Sequence, residues 1–350
     1  MDAMKNILVF LLIYCLVSAC KPDTATSTPP AAASSNPENI ALLSHRYLVQ
    51  DQQLLTTFRT RANKGVDVYI YEGKDVVELA QKGPLKGDLV ILEDLYQAHQ
   101  LKKAGVISPY NAGTFGDYVP SRYVDNEGYW AGVTRWTMSF VYRPDRVDIL
   151  QMRKYGGILD PRYQGRVAMA HPDSSGLISM VAGMIAAHGE EPARIYLETL
   201  KQNLNHAPKG SDWEAISSVL RGDADIAFIN GSEFLRYQHS GNPEMFKSLA
   251  ALEMEIPTDN YENNYYNITP ICILNNAPYR NYAINLVEFL TIEENQGMFA
   301  EAFFEHPVNV FSPSGELLNN TFNLPQGKIT AEMTENQLDK AEQLVHQIFR

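Results

Sequence analysis

Cysteine is nearly missing from this chain, with 3 in 350 residues. Cys15 and Cys20 lie in an apolar leader, so Cys272 is left without a partner and no disulfide is expected. Basic residues are also in short supply. Lys and Arg total 29 against 41 Asp and Glu, a formal net charge of −12. Nucleic-acid affinity comes mostly from cationic contacts to phosphate, so this balance argues against such a partner. The apolar stretch Ile7 to Leu16 is about half the ~20 residues that a membrane-spanning helix needs. Motifs of common catalysis are missing too. There is no Gly-rich dinucleotide fingerprint, no phosphate loop ending in Gly-Lys-Ser/Thr and no Gly-x-Ser-x-Gly elbow. The 8 His residues are scattered, without a His-Glu-x-x-His pair or a Cys pair for zinc. The expectation is a binding protein with no enzymatic activity and no resident cofactor.

What is present begins with an address. Lys5 supplies a positive start, Ile7 to Leu16 an apolar core, and Val17-Ser18-Ala19-Cys20 a cleavage region that resembles a bacterial lipobox. On this reading residues 1–19 are a signal peptide and Cys20 is the lipidated residue. Residues 20–39 then form a flexible tether of Pro, Ala, Ser and Thr, with too little apolar surface to offset ordering entropy. Each buried acyl carbon contributes about 0.8 kcal/mol, so several chains hold a protein to a membrane surface without a spanning helix. The protein is expected in the bacterial cell envelope, lipid-anchored and facing the periplasm or the outside. The remainder, at 45% hydrophobic and 20% charged residues overall, is globular in composition and long enough for about two domains of ~150 residues.

From Ile40 onward, short apolar runs alternate with helical patterns. Ile40 to Leu43, Val66 to Tyr71 and Asp88 to Leu92 read as strands, and Leu48 to Ala62 as a helix. A second series follows Pro144. Arg166 to Ala170 and Ile226 to Ile229 read as strands. Ile178 to His188, Pro192 to Leu204 and Trp213 to Leu220 read as helices, the last capped by Ser211 or Asp212. Thr291 and Glu294 have the spacing of a capping box, and a C-terminal helix is predicted from about Thr334 to Phe349. Cys272, within the apolar run Ile268 to Leu274, reads as a small core residue. Two α/β series in one chain suggest two lobes with a cleft between them.

Several stretches, consistent in order, resemble the periplasmic ferric-iron-binding proteins, which are substrate-binding subunits of iron ABC importers. They are Leu159-Asp160-Pro161-Arg162-Tyr163-Gln164-Gly165-Arg166-Val167, Ser179 to Glu190, Lys209 to Asn230, Leu286 to Asn309, and Tyr129 to Val133 running on to Val141-Tyr142. The resemblance implies an α/β fold of the two-lobed periplasmic-binding-protein type (type II-like), a clamshell with two crossing strands that traps a small ligand by hinge closure. It implies one lobe from 40–132 plus 262–308 and another from 133–261 plus 309–350. It also implies permease and ATPase subunits as partners, with Fe3+ as the bound ligand.

Carried over residue by residue, the resemblance puts Tyr47 on a ligand position of the first lobe, with His45 beside it. In the second lobe, where the family has paired tyrosines, this chain has Ser232 and Glu233; Glu233 can supply an anionic oxygen, which Fe3+ favours. The metal set is therefore Tyr47 and Glu233. Trp136 and Met138 stand where the family has anion-binding arginines, with Arg135 near by, and Trp136 can stack on an organic ligand. Ser174 and Ser175 precede a helix whose N-terminus suits an anion, and Asp212 matches a loop that faces the family's cleft. Tyr265 and Tyr266 read as hinge packing. The alternatives to iron are a small organic or inorganic anion, or an envelope sensor that uses the same fold without transport.

Overall fold

The structure, a computed structural model, describes residues 38–45, 51–71, 75–110, 119–173, 176–315, 318 and 327–350. The leader and Cys20 lie outside the described residues. The chain builds one α/β series, crosses to a second, returns to the first, and ends on the second. The first series is β1 (Ile40–Ser44), α1 (Asp51–Ala62), β2 (Val66–Ile70), α2 (Asp75–Lys82), β3 (Leu89–Ile91), α3 (Leu95–Lys103), β4 (Ile107–Ser108) and β5 (Trp130–Trp136). The second runs β6 (Met138–Tyr142), α4 (Ile149–Met152), β7 (Val167–Met169), α5 (Leu177–His188), α6 (Glu190–Asn203), α7 (Asp212–Arg221), β8 (Ile226–Asn230), α8 (Gly231–Gln238), α9 (Pro243–Leu249) and β9 (Glu253–Glu255). The return supplies β10 (Asn267–Leu274), α10 (Arg280–Thr291), α11 (Glu293–Phe303) and β11 (His306–Pro307). Helices α12 (Ala331–Glu335) and α13 (Leu338–Phe349) close the chain.

The strands form two sheets, one per lobe. The first has the order β11-β5-β10-β3-β1-β2, with β4 also on β10; the second has the order β7-β8-β6-β9. Within the first, β1 runs parallel to β2 and β3, whereas β10 is antiparallel to β3 and β5. Strands β3, β5, β6, β7, β8 and β10 are buried along their whole length, as expected of sheets with both faces covered. Cys272 sits inside β10 with no exposure, and burial pushes its thiol pKa well up, so it is a core residue.

Strand β5 keeps its pairing with β10 through Trp136 and β6 opens the second sheet at Met138, so the sheets change over at Thr137. Two expectations shift. The expected capping box does not form. Thr291 stays in the last turn of α10, where its hydroxyl donates to Val287 O and Glu288 O, each at 3.0 Å, and α11 starts without a side-chain cap. The C-terminal helix is two pieces, because Asn336 and Gln337 close α12 before α13 begins. Pro270 has no N–H to give to the ladder, and the β5–β10 register slips between Thr269 and Pro270. Just before the slip Thr134 and Thr269 are register partners, and both hydroxyls donate to the buried Glu305 carboxylate.

Candidate ligand site between the lobes

The place where β5 hands over to β6 is also where the lobes touch. Trp136 and Asn267 are register partners, and both point toward the start of α5 in the second lobe. A Cβ built on Gly176, the N-cap of α5, would lie 2.5 Å from Trp136 Cη2 and 2.5 Å from Asn267 Nδ2. Gly176 also has φ of 73°, so both space and backbone demand glycine. The Trp136 indole donates to Glu93 O at 3.2 Å and the residue is 2% exposed. In this arrangement the ring packs between the lobes against the start of α5.

On the second lobe, Asn230 ends β8 and caps α8, accepting from Ser232 N at 3.0 Å and from the Ser232 hydroxyl at 2.8 Å. Ser232 is thus spent on a local turn and buried. One residue on, Glu233 accepts from Arg236 in an ion pair, with the carboxylate side chain 18% exposed. Burial works against the Arg236 charge, but Glu233, Tyr237 and, from the first lobe, Glu93 outweigh it and push its pKa up. Glu233 thus pairs directly with the Arg236 guanidinium, and the charge of Glu93 on the first lobe reaches it at longer range. Asp212 opens α7 behind the capping residue Ser211, is buried, and is felt electrostatically by Tyr237 of α8.

On the first lobe, His45 follows β1 half-buried, with Nδ1 3.5 Å from Ile91 O and its ring edge-on to Phe303 at 5.8 Å. At the end of β3, Glu93 N donates to Gln97 Oε1 at 3.0 Å. Asp94 caps α3 by accepting from Gln97 N at 2.7 Å; its burial raises the carboxyl pKa to about 6. Tyr47, Ser174 and Ser175 lie outside the described residues. Tyr265 and Tyr266 are buried at the second crossing. Tyr265 stacks on Tyr155 at 5.0 Å and donates to Asp259 at 3.0 Å, while Tyr266 donates to Ile329 O at 3.0 Å. Among the described residues, no three or more His, Cys, Asp or Glu groups lie close enough to hold a metal ion.

Three contributors escaped the sequence reading: Glu93, Arg236 and Asn267. A signal for Glu93 was available, since ligands of open α/β sheets bind at strand carboxyl ends, and Glu93 follows β3. Arg236 stands three residues after Glu233 on one helix, a spacing that allows pairing.

A profile for bacterial extracellular solute-binding proteins matches residues 52–305. The chain belongs to this family. It is 26% identical over 283 residues to iron uptake protein A2 of Synechocystis, covering 80% of each chain. In three dimensions it resembles a Trichodesmium protein solved with iron and citrate, with a TM-score of 0.81, 22% identity and coverage of 89% of this chain and all of that one. A ferric binding protein from Campylobacter jejuni superposes with a TM-score of 0.79 at 19% identity, over 89% of this chain and 100% of the other. The two-lobed α/β fold is thus shared with these solved proteins.

Proposed function

We propose that this solute-binding protein captures ferric iron between its lobes and delivers it to the permease and ATPase of an ABC importer. The observation that carries this reading is the Glu233–Arg236 ion pair on α8 of the second lobe, within electrostatic reach of Glu93 at the end of β3 on the first. Ferric iron is a hard cation that favours anionic oxygens. Arg236 neutralises Glu233 in this arrangement and feels the charge of Glu93 as well. An arriving cation of higher charge displaces the guanidinium and takes the carboxylates, with His45 on the first-lobe side and Tyr47 two residues beyond it. The names of the relatives support the cargo, and the acidic balance of the chain favours a cationic one. Cys20 is the lipid-bearing residue that holds the protein at the envelope surface, and the fold acts by binding, without catalysis.

The test is a titration of the purified protein with ferric citrate, followed by visible absorbance. A phenolate-to-iron band that Tyr47→Phe abolishes supports the reading, and Glu233→Gln should weaken iron at least about ten-fold, the loss of one anionic ligand. No band in the wild type, and an affinity indifferent to Glu233, count against it.

A second reading rests on a different observation. Asn267 is 3% exposed, and its Nδ2 has no hydrogen-bond partner although it points at the start of α5. A helix N-terminus with an unspent buried donor suits a small anion. A thermal shift with citrate or phosphate that Asn267→Leu abolishes, and none with ferric salt, would favour anion transport over iron.

A further inference from the structure

Arg135 follows a different logic from its neighbour Trp136. Successive strand residues face opposite sides of a sheet, so Arg135 points away from the interlobe face that Trp136 occupies. Its register partners are Ile268 and His306. The residue is 9% exposed, and neither Nε nor Nη1 has a hydrogen-bond partner. Above it lies the turn Ser121–Tyr123. The Arg135 guanidinium carbon is 5.7 Å from the Tyr123 ring centroid, and that of Arg122 is 5.6 Å from the same ring. Tyr123 is 2% exposed with a hydroxyl that bonds to nothing, and Arg122 Nε is likewise buried and unpartnered. Arg122 is held in place through Nη2, which donates to Gly327 O at 2.6 Å and Ile329 O at 3.2 Å.

The charge count around this cluster is one-sided. The groups that act on Arg135 are Tyr123, Tyr266 and Arg122, with no carboxylate among them. His306 is kept neutral, its pKa pushed down to about 4 by burial and then by Arg135. Glu305, the nearest acid in sequence, accepts from Thr134 and Thr269 instead. A buried guanidinium without a counter-charge is strongly unfavourable, and proteins resolve that by pairing it. The donors left over are three guanidinium N–H positions and one phenol O–H, which are all donors and match an oxyanion.

We propose that Arg135, Arg122 and Tyr123 form an anion site on the far face of the first sheet, separate from the interlobe cleft, that takes a small oxyanion of the carboxylate or phosphate type. Its occupant is a structural counter-ion that ties the Ser121–Tyr123 turn to β5. The ligand stabilises the folded chain by mass action.

The experiment is thermal unfolding of the purified protein in phosphate or in formate, against chloride at equal ionic strength. The wild type should gain a few degrees as the oxyanion reaches about 100 times its Kd. Tyr123→Phe, which removes only the hydroxyl, should lose part of that gain, and Arg135→Gln all of it. If Arg135→Gln fails to fold, the Tyr123→Phe comparison decides. A wild type indifferent to oxyanions overturns the proposal. So does a gain that both variants keep, since the anion would then sit elsewhere.

Discussion

At the scale of single residues, two positions concentrate the consequences. Gly176 sits in the left-handed region with Trp136 and Asn267 against it, so any side chain there meets both strain and overlap. Gly176→Ala should cost about 2–4 kcal/mol in urea unfolding, the sum of a left-handed penalty and overpacking. Asp259 is the other. It accepts from Asn263 N and Nδ2, Tyr261 N and the Tyr265 hydroxyl, and pairs with His188 of α5 at 2.7 Å. Burial works against its charge, but the Asn263, His188 and Tyr261 hydrogen bonds prevail and bring the carboxyl pKa down to about 2. A carboxylate depressed in the folded state contributes stability above its unfolded pKa and loses it as pH falls through the folded one. Asp259→Asn should therefore cost about 1–2 kcal/mol at pH 7. The gap from wild type should narrow from pH 4 downward and close near pH 2, as measured by denaturant midpoints.

At the scale of elements, the C-terminal helices clasp the two lobes. Helices α12 and α13 pack on α5, and α13 also on α6, within the second lobe. Their polar side meets α3 of the first lobe. Tyr96 donates to Glu342 at 2.6 Å, His99 pairs with Asp339 at 2.9 Å, and Lys102 lies 3.5 Å from Glu335. Burial works against the His99 charge, yet Glu335 and Asp339 outweigh it and raise its pKa. A raised His pKa contributes stability that is whole below the unfolded value and is lost as pH rises through the folded one. Wild type should thus exceed His99→Gln in stability by more at pH 6 than at pH 8.5; an equal gap at both would remove the charge from the clasp. Element types were legible in the sequence because apolar periodicity and turn residues mark them locally. Thr291 shows the limit. The same residue can cap the next helix or bond back into its own, and only tertiary context decides.

At the scale of the whole molecule, two α/β series could be read from the chain because strands and helices alternate twice. Which residues line the cleft could be read only in part. The reach of the Glu93 charge to Arg236 and the seat of Asn267 against Gly176 join segments 143 and 91 residues apart, as Glu93 to Arg236 and Gly176 to Asn267 are spaced in the sequence. Contacts at that separation leave no periodic trace. Trp136 makes the same point: an aromatic at the crossing can be read from the sequence, but its seat against the start of α5 cannot.

Under the proposed function, one ferric ion is captured by carboxylates drawn from both lobes. Equilibrium dialysis of the purified protein against ferric citrate, with retained iron quantified, tests this directly. One equivalent per wild-type chain, falling sharply in Glu233→Gln and in Glu93→Gln alike, is the predicted result. Iron retained equally by all three proteins, or by none, would contradict it.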